Sequence, residues 1–308
     1  MSKNIIVIGG PTASGKSGFA IDLALEFNGV IINADASQVY KGIPIIAAAP
    51  TAQDKALVEH LLYEYLDVSV NGNVFMWLNS AVEAIHDVWK RKKTPIVVGG
   101  GGLYLDNLIN GTTPIPEVKP EIRNQIAEFV EKYGQAGLYQ QLAKEDPAAA
   151  SMLKPNDATR VRRAYEIWLS TQKSIAEWYQ MPMIQKIPEA RFLTISLLPQ
   201  KAELDSRCDV RFEKMIQNGA IDEVKYLMSR NLPSTLPAMR AKGVPELMEA
   251  LRGAISFEDA VELSKIHTRQ YAKRQLTWFR NKMCADLILP ECYTGQKEFI
   301  NDVKKQYK

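Results

Sequence analysis

The chain has 308 residues, 46% hydrophobic and 24% charged, with a formal net charge of +3, which fits a soluble globular protein of one large or two modest domains. No run approaches the roughly eighteen consecutive apolar residues of a membrane span, because the most apolar stretch, Asn4 to Gly9, becomes polar at Thr12. Cys208, Cys284 and Cys292 are isolated, with no CxxC pair, and the three histidines are scattered, so neither a disulfide framework nor a zinc site is indicated.

From Met1 the chain runs straight into a strand-like segment, without the basic, then apolar, then small-residue order of a secretion signal, and a cytoplasmic protein is expected. Asn4 to Gly9 reads as a short buried strand, and the apolar positions Phe19, Ile21, Leu23 and Leu25 read as the helix after it. A second strand is expected at Val30 to Asn33 and a third at Pro95 to Val98, the latter preceded by an amphipathic stretch, Phe75 to Trp89, and followed by a second glycine cluster. Strand, glycine turn and helix recurring in this order predict a parallel sheet with helices on its faces.

Near Gly111 the character changes. Pro114, Pro116 and Pro120 interrupt regular structure, and the next strand-like run appears only at Phe192 to Leu198. Between them, Glu121 to Tyr133, Leu138 to Ala143 and Ala158 to Leu169 carry helical apolar spacing. The expected architecture is therefore an α/β core over residues 1–112 and 189–308, interrupted by a mostly helical insertion over 113–188. The last elements expected are a long helix from about Ser256 to Lys282 and a short strand at Asp286 to Leu289.

Gly10-Pro11-Thr12-Ala13-Ser14-Gly15-Lys16-Ser17 matches the phosphate-cradling pattern GxxxxGK[ST] and stands between a predicted strand and a predicted helix, as that pattern requires. Backbone N–H groups of such a loop turn inward, the helix N-terminus adds its positive end, Lys16 neutralises phosphate oxygens and Ser17 is placed to ligand Mg²⁺. The loop alone does not say which phosphate it holds, since kinases, NTPases and diphosphate-using transferases share it.

Directly after the second strand comes Asp35-Ala36-Ser37-Gln38-Val39-Tyr40, at the end of a parallel strand where such sheets place their chemistry. Three readings of Asp35 stand open at this point: a loop-ordering carboxylate, the metal-associated acid of an NTPase, or a general base. Far downstream, Lys265 to Lys282 holds six cations and no acid. A solvated helix face is the plain reading of that run. Arg269, Lys273 and Arg280, spaced four and seven apart, share a helical face and form a stripe able to track phosphates, while Tyr271 and Trp278 fall on another face and read as core more readily than as base-stacking platforms.

GPTASGKS, DASQVYKGI, VGGGGLYL, PNDATRVRRAYEI and RQYAKRQLTWFR occur in the order and spacing of tRNA dimethylallyltransferases, and together they span almost the whole chain. The chain resembles that family. The resemblance implies that the loop holds the diphosphate of dimethylallyl diphosphate and not the tail of ATP, and that the matching carboxylate, Asp35, takes a proton from adenosine N6 as that nitrogen attacks the allylic carbon, with Mg-diphosphate leaving. Lys16 and Arg240 would assist at the anion. The acceptor implied is the adenosine immediately 3' of the anticodon, and a monomer is expected.

The resemblance also implies where tRNA is held. The implied contacts are Asp35, Ala36, Ser37 and Gln38 after the second strand, and Gly101 in the glycine cluster. Arg123, Thr159, Arg160, Val161, Arg162 and Arg163 would contribute from the insertion, which would grip the anticodon stem-loop. Arg240, Lys273, Arg274, Gln275 and Arg280 would contribute from the C-terminal part, where the amide of Gln275 is chemically able to hydrogen-bond a base edge. The target base must be extruded toward Asp35, which a single-stranded loop permits.

Three segments depart from the family pattern. Pro44 to Pro50 reads PIIAAAP where the family carries DIGTAKP, so a polar and cationic contribution is missing. Gly101 stands where a threonine is expected to donate to the diphosphate. Met239 to Glu246 retains Arg240 and Gly243 of an Arg-x-x-Gly-Tyr-Arg segment but has neither its tyrosine nor its second arginine. A small-molecule or nucleoside kinase accounts for the phosphate loop only, and a non-catalytic tRNA-binding relative is suggested only by Gly101 and the Ala47 to Ala49 run.

Overall fold

A computed structural model describes residues 3–307. The chain divides into two compact units, one running to Ile109 and resuming at Ile187, the other covering Asn110–Lys186. The insertion expected over 113–188 thus corresponds to a unit whose ends lie two to three residues earlier.

The first unit is built on six parallel strands, β1 (Asn4–Gly9), β2 (Gly29–Asn33), β3 (His60–Leu61), β4 (Thr94–Gly99), β5 (Arg191–Leu197) and β6 (Leu287–Leu289), in the order β3-β2-β4-β1-β5-β6. Every strand expected from the sequence is present. β3 has no counterpart among the expected strands, because two residues are too short to carry a periodic signal. Alternation divides the side chains between two faces. Ile6, Ile8, Ile31, Ile96 and Ile195 share one buried cluster with Phe19 and Leu23, whereas Ile5, Val7, Val30, Ile32 and Val97 share another with Trp77, Ala81, Ile85 and Leu105. Because each such side chain contributes about 1.5–3 kcal/mol when fully buried, the strand register is fixed by the sheet core and not by the loops at its end.

Helices follow the strands in turn: α1 (Lys16–Glu26), α2 (Ala52–Leu57), α3 (Val74–Lys90) and α4 (Gly102–Asn110). In α3, Asn73 caps the start by accepting from the N–H groups of Phe75 and Met76 at 3.0 Å. Its buried stripe, Trp77, Leu78, Ala81, Ile85 and Val88, covers the sheet. Trp77 Nε1 also donates to the Asn33 carbonyl at 2.6 Å, fastening the end of β2 just before Asp35.

The second unit contains α5 (Pro120–Glu145), α6 (Pro147–Ser151), α7 (Ala158–Thr171) and α8 (Ile175–Trp178). Gly134, at φ 71°, interrupts α5 where the sequence predicts two separate helices. Ile126, Leu138, Leu142, Val161, Ala164 and Ile167 form its core. Glu145 accepts from Tyr165 Oη and Trp168 Nε1, both at 3.2 Å, which joins α7 to the end of α5. Val161 is fully buried here, so the tRNA contact expected of it is corrected: its side chain is core, and the faces of α7 open to solvent are those of Thr159, Arg160 and Arg162.

The first unit then resumes with α9 (Lys201–Gln217), α10 (Ala220–Ser229), α11 (Val244–Leu251), α12 (Phe257–Lys282) and α13 (Lys297–Gln306). Ala260, Ser264, Thr268, Ala272, Gln275, Leu276 and Phe279 make the buried stripe of α12. Among the described residues, no helix is long and apolar enough to cross a membrane.

Candidate functional site

The loop from Gly10 to Gly15 joins β1 to the first turn of α1 and is tied down on several sides. Thr12 N–H donates to Gln275 Oε1 at 2.8 Å, Arg207 Nε donates to the Ala13 carbonyl at 2.9 Å, and Tyr293 N–H donates to the Ser14 carbonyl at 2.9 Å. Arg211 Nη2 donates to Thr12 Oγ1. Gly15 has φ +88°, and a Cβ there would sit 2.3 Å from the Tyr293 carbonyl oxygen, so only glycine closes this turn.

Lys16 Nζ donates to the Pro11 carbonyl at 2.6 Å inside the loop. Burial pushes its pKa down to about 7; the carboxylate of Asp35 opposes that shift and the Arg211 guanidinium adds to it. Burial also pushes Arg211 below its ordinary value. Two cations held with this little hydration amount to a site organised for an anion.

A cavity of about 500 Å³ opens beside the loop, lined by Lys16, Ser17, Asp35, Arg207, Arg211 and Lys214 among others. A smaller one of about 70 Å³ shares Thr12, Asp35, Gln38, Ala48 and Arg211 with it and adds Ile46, Phe212, Met215, Lys242, Thr268 and Tyr271. Asp35 therefore faces both spaces. Its Oδ1 accepts from Ser37 N–H at 2.9 Å and Ser37 Oγ at 2.6 Å, and its own N–H donates to Asn33 Oδ1 at 2.8 Å. Both side-chain bonds fall on Oδ1, which leaves Oδ2 as the oxygen open to a ligand's proton.

Gln38 donates through Nε2 to the carbonyls of Ala47 and Ala48 at 3.1 and 2.7 Å, while Glu223 accepts from the N–H groups of Ile45 and Ile46 at 2.7 and 2.8 Å. These bonds hold the Pro44–Pro50 segment against the smaller cavity. Gly101 is closed in as well: its N–H donates to the Ala34 carbonyl at 3.1 Å, and a Cβ would stand 2.6 Å from that oxygen. A threonine at 101 thus requires the backbone after β2 to shift, and its absence is matched by the local packing.

Several expectations are corrected. Gln275 is buried, and both ends of its amide are used inside the protein, Oε1 by Thr12 N–H and Nε2 by the Gly100 carbonyl at 2.9 Å, so it braces two loops and does not read a base edge. Arg269 leaves the expected stripe because Asp209 holds it at 2.6 Å, and Lys265 is held by Glu213 and Glu262 at 2.7 and 2.9 Å. Lys273, Arg274, Arg280 and Lys282 remain exposed on α12. Arg240 is exposed and donates through Nε to the Ser234 carbonyl at 3.2 Å, whereas the cations lining the smaller cavity are Arg211 and Lys242. In the helical unit Arg123 is exposed on α5, Arg160 stands 3.5 Å from Asp157, and Arg163 stands 3.5 Å from Glu166.

Sequence reasoning misses Arg207, Arg211 and Lys214. Their spacing of four and three places them on one face of α9, the same kind of signal that marks α12, and it is detectable. Lys242 and Thr268 carry no sequence pattern of their own.

The profile of the IPP transferase family matches residues 38–282. The chain is 39% identical over 306 residues to the tRNA dimethylallyltransferase of Rickettsia massiliae, covering 99% of this chain and 84% of that protein. To the protein of the same description from Rhodopseudomonas palustris it is 42% identical over 278 residues, covering 90% and 88%. The full-length tRNA isopentenylpyrophosphate transferase from Bacillus halodurans superposes with a TM-score of 0.71 at 31% identity, covering 99% and 96% of the two chains. A eukaryotic dimethylallyltransferase acting on tRNA superposes at 0.83 with 30% identity, covering 99% and 78%.

Proposed function

The chain belongs to the tRNA dimethylallyltransferase family, and on that premise we propose that it transfers the dimethylallyl group of dimethylallyl diphosphate to N6 of the adenosine immediately 3' of the anticodon. The observation that carries the reading is Asp35, whose carboxylate faces both the cationic cradle and the smaller cavity. The C1–O bond of the donor breaks, the N6–C1 bond forms, and the N6 proton passes to Asp35 Oδ2. Diphosphate takes the electron pair and stays against Lys16, Arg207 and Arg211. An exocyclic amine conjugated with a purine is a weak nucleophile, so a base at the moment of attack lowers the barrier. The cradle stabilises charge that grows only as the leaving group departs.

Ser17, exposed in the first turn of α1, together with the diphosphate oxygens suits Mg²⁺, an ion that takes few protein ligands beside phosphate and water. No group of three or more His, Cys, Asp or Glu residues among the described ones offers an all-protein cage. Bound there, the ion neutralises diphosphate charge. Incubation of the protein with unmodified tRNA and labelled dimethylallyl diphosphate tests the reading, with ATP and nucleosides in a parallel reaction. Label in tRNA is expected; phosphoryl transfer from ATP without label in tRNA overturns it in favour of a kinase.

Lys273, Arg274 and Arg280 on α12 support a phosphate-tracking surface, because acids elsewhere pair only the first part of the basic run. Neutralising Lys273 and Arg274 together is expected to weaken tRNA binding and to lower the log–log salt slope by about 0.7–0.9 for each phosphate that the helix ceases to engage. Affinities across a salt series decide it. Parallel lines with equal intercepts for the wild type and the double variant would mean that α12 does not touch RNA.

A further inference from the structure

The hydroxyls of α12 do not all behave alike. Ser264 Oγ donates to the Ala260 carbonyl at 2.7 Å and Thr277 Oγ1 to the Lys273 carbonyl at 3.0 Å, the ordinary back-bond of a helical hydroxyl. Thr268, between them, is only 6% exposed, and its Oγ1 has no partner among the described residues. A buried hydroxyl left unpaired is destabilising, because it has given up its bonds to water without replacing them. Thr268 lines the smaller cavity and not the larger, while Thr12, Asp35 and Arg211 line both.

With diphosphate against Lys16 and Arg211 and the reacting carbon at Asp35, the hydrocarbon end of the donor has the smaller cavity to enter. Ile46, Ala47, Phe212 and Met215 give it an apolar wall, beside the polar side chains of Gln38, Arg211 and Lys242. Its volume of about 70 Å³ is roughly half that of a cavity known to take benzene. A space of this size is on the scale of the branched end of a short prenyl chain. An entirely hydrocarbon tail would leave Thr268 unpaired.

We propose, building on the transferase reading above, that the chain also uses an allylic five-carbon diphosphate bearing a hydroxyl on its terminal methyl group, with Thr268 Oγ1 as the hydrogen-bond partner of that hydroxyl. The bond changes are those of the parent reaction: C1–O breaks, N6–C1 forms, the N6 proton goes to Asp35 and diphosphate leaves. The added hydroxyl takes no part in them and appears unchanged in the modified tRNA.

The test supplies unmodified tRNA with dimethylallyl diphosphate or with 4-hydroxy-3-methylbut-2-enyl diphosphate. The readouts are the mass of the modified nucleoside and kcat/KM for each donor. Wild type is expected to yield both products, the second heavier by one oxygen. Thr268→Val is expected to shift the preference about tenfold toward the unhydroxylated donor, the change that follows when a substrate hydroxyl loses its built partner. Thr268→Ser should restore the preference. Transfer from dimethylallyl diphosphate alone, or an equal loss for both donors in Thr268→Val, overturns the proposal while leaving the transferase reading intact, and means that water or packing is what Thr268 serves. Transfer from neither donor overturns both.

Discussion

Replacing Asp35 with asparagine is expected to slow single-turnover prenyl transfer by about 10²–10⁴-fold, the range for loss of a general base, while changing tRNA affinity by no more than a few-fold. Asparagine keeps an oxygen that can accept from Ser37 N–H and Ser37 Oγ, the two bonds that order the turn through Oδ1. It has no carboxylate Oδ2 to receive the N6 proton. The substitution thus separates a base from a loop-ordering group, two readings the sequence leaves open. Rapid-quench measurement with enzyme in excess over tRNA reports the chemical step alone. A wild-type rate in Asp35→Asn would make Asp35 a structural residue and return the search for a base to the remaining groups of the two cavities.

How legible such residues are in the sequence depends on how local their causes are. The loop from Gly10 to Ser17 is legible because its strand, turn and helix are contiguous, and Asp35 because it follows a buried strand directly. Gln275 is misread for the opposite reason. Its partners, Thr12 and Gly100, lie far away in the chain, and a polar side chain in a basic helix looks solvated until the loops it joins are seen. The same holds for Arg269 and Lys265, which are paired by Asp209 and Glu213 of α9. A one-dimensional charge count sees six cations and no acid; packing α12 on α9 places acids against two of them.

Removing the charge of Lys16 is the second large effect expected. Lys16→Met should lower kcat/KM for dimethylallyl diphosphate by about 10²-fold or more, since a preorganised group facing developing charge is typically worth that much. It should also abolish a pH signature of diphosphate binding. In the empty cradle burial brings Lys16 down to about 7, so at pH 6 the ammonium is already protonated and binding takes up little at this residue. At pH 8.5 most of the free enzyme carries neutral Lys16. An arriving polyanion favours the charged form and draws in up to one proton, so affinity falls as pH rises through about 7. Calorimetric titration with inorganic pyrophosphate at pH 8.5, in buffers of different ionisation enthalpy, measures that uptake. Protons taken up by pyrophosphate itself are common to both proteins, and the difference between wild type and Lys16→Met isolates the lysine. Equal uptake by the two would show that Lys16 is already charged in the empty cradle.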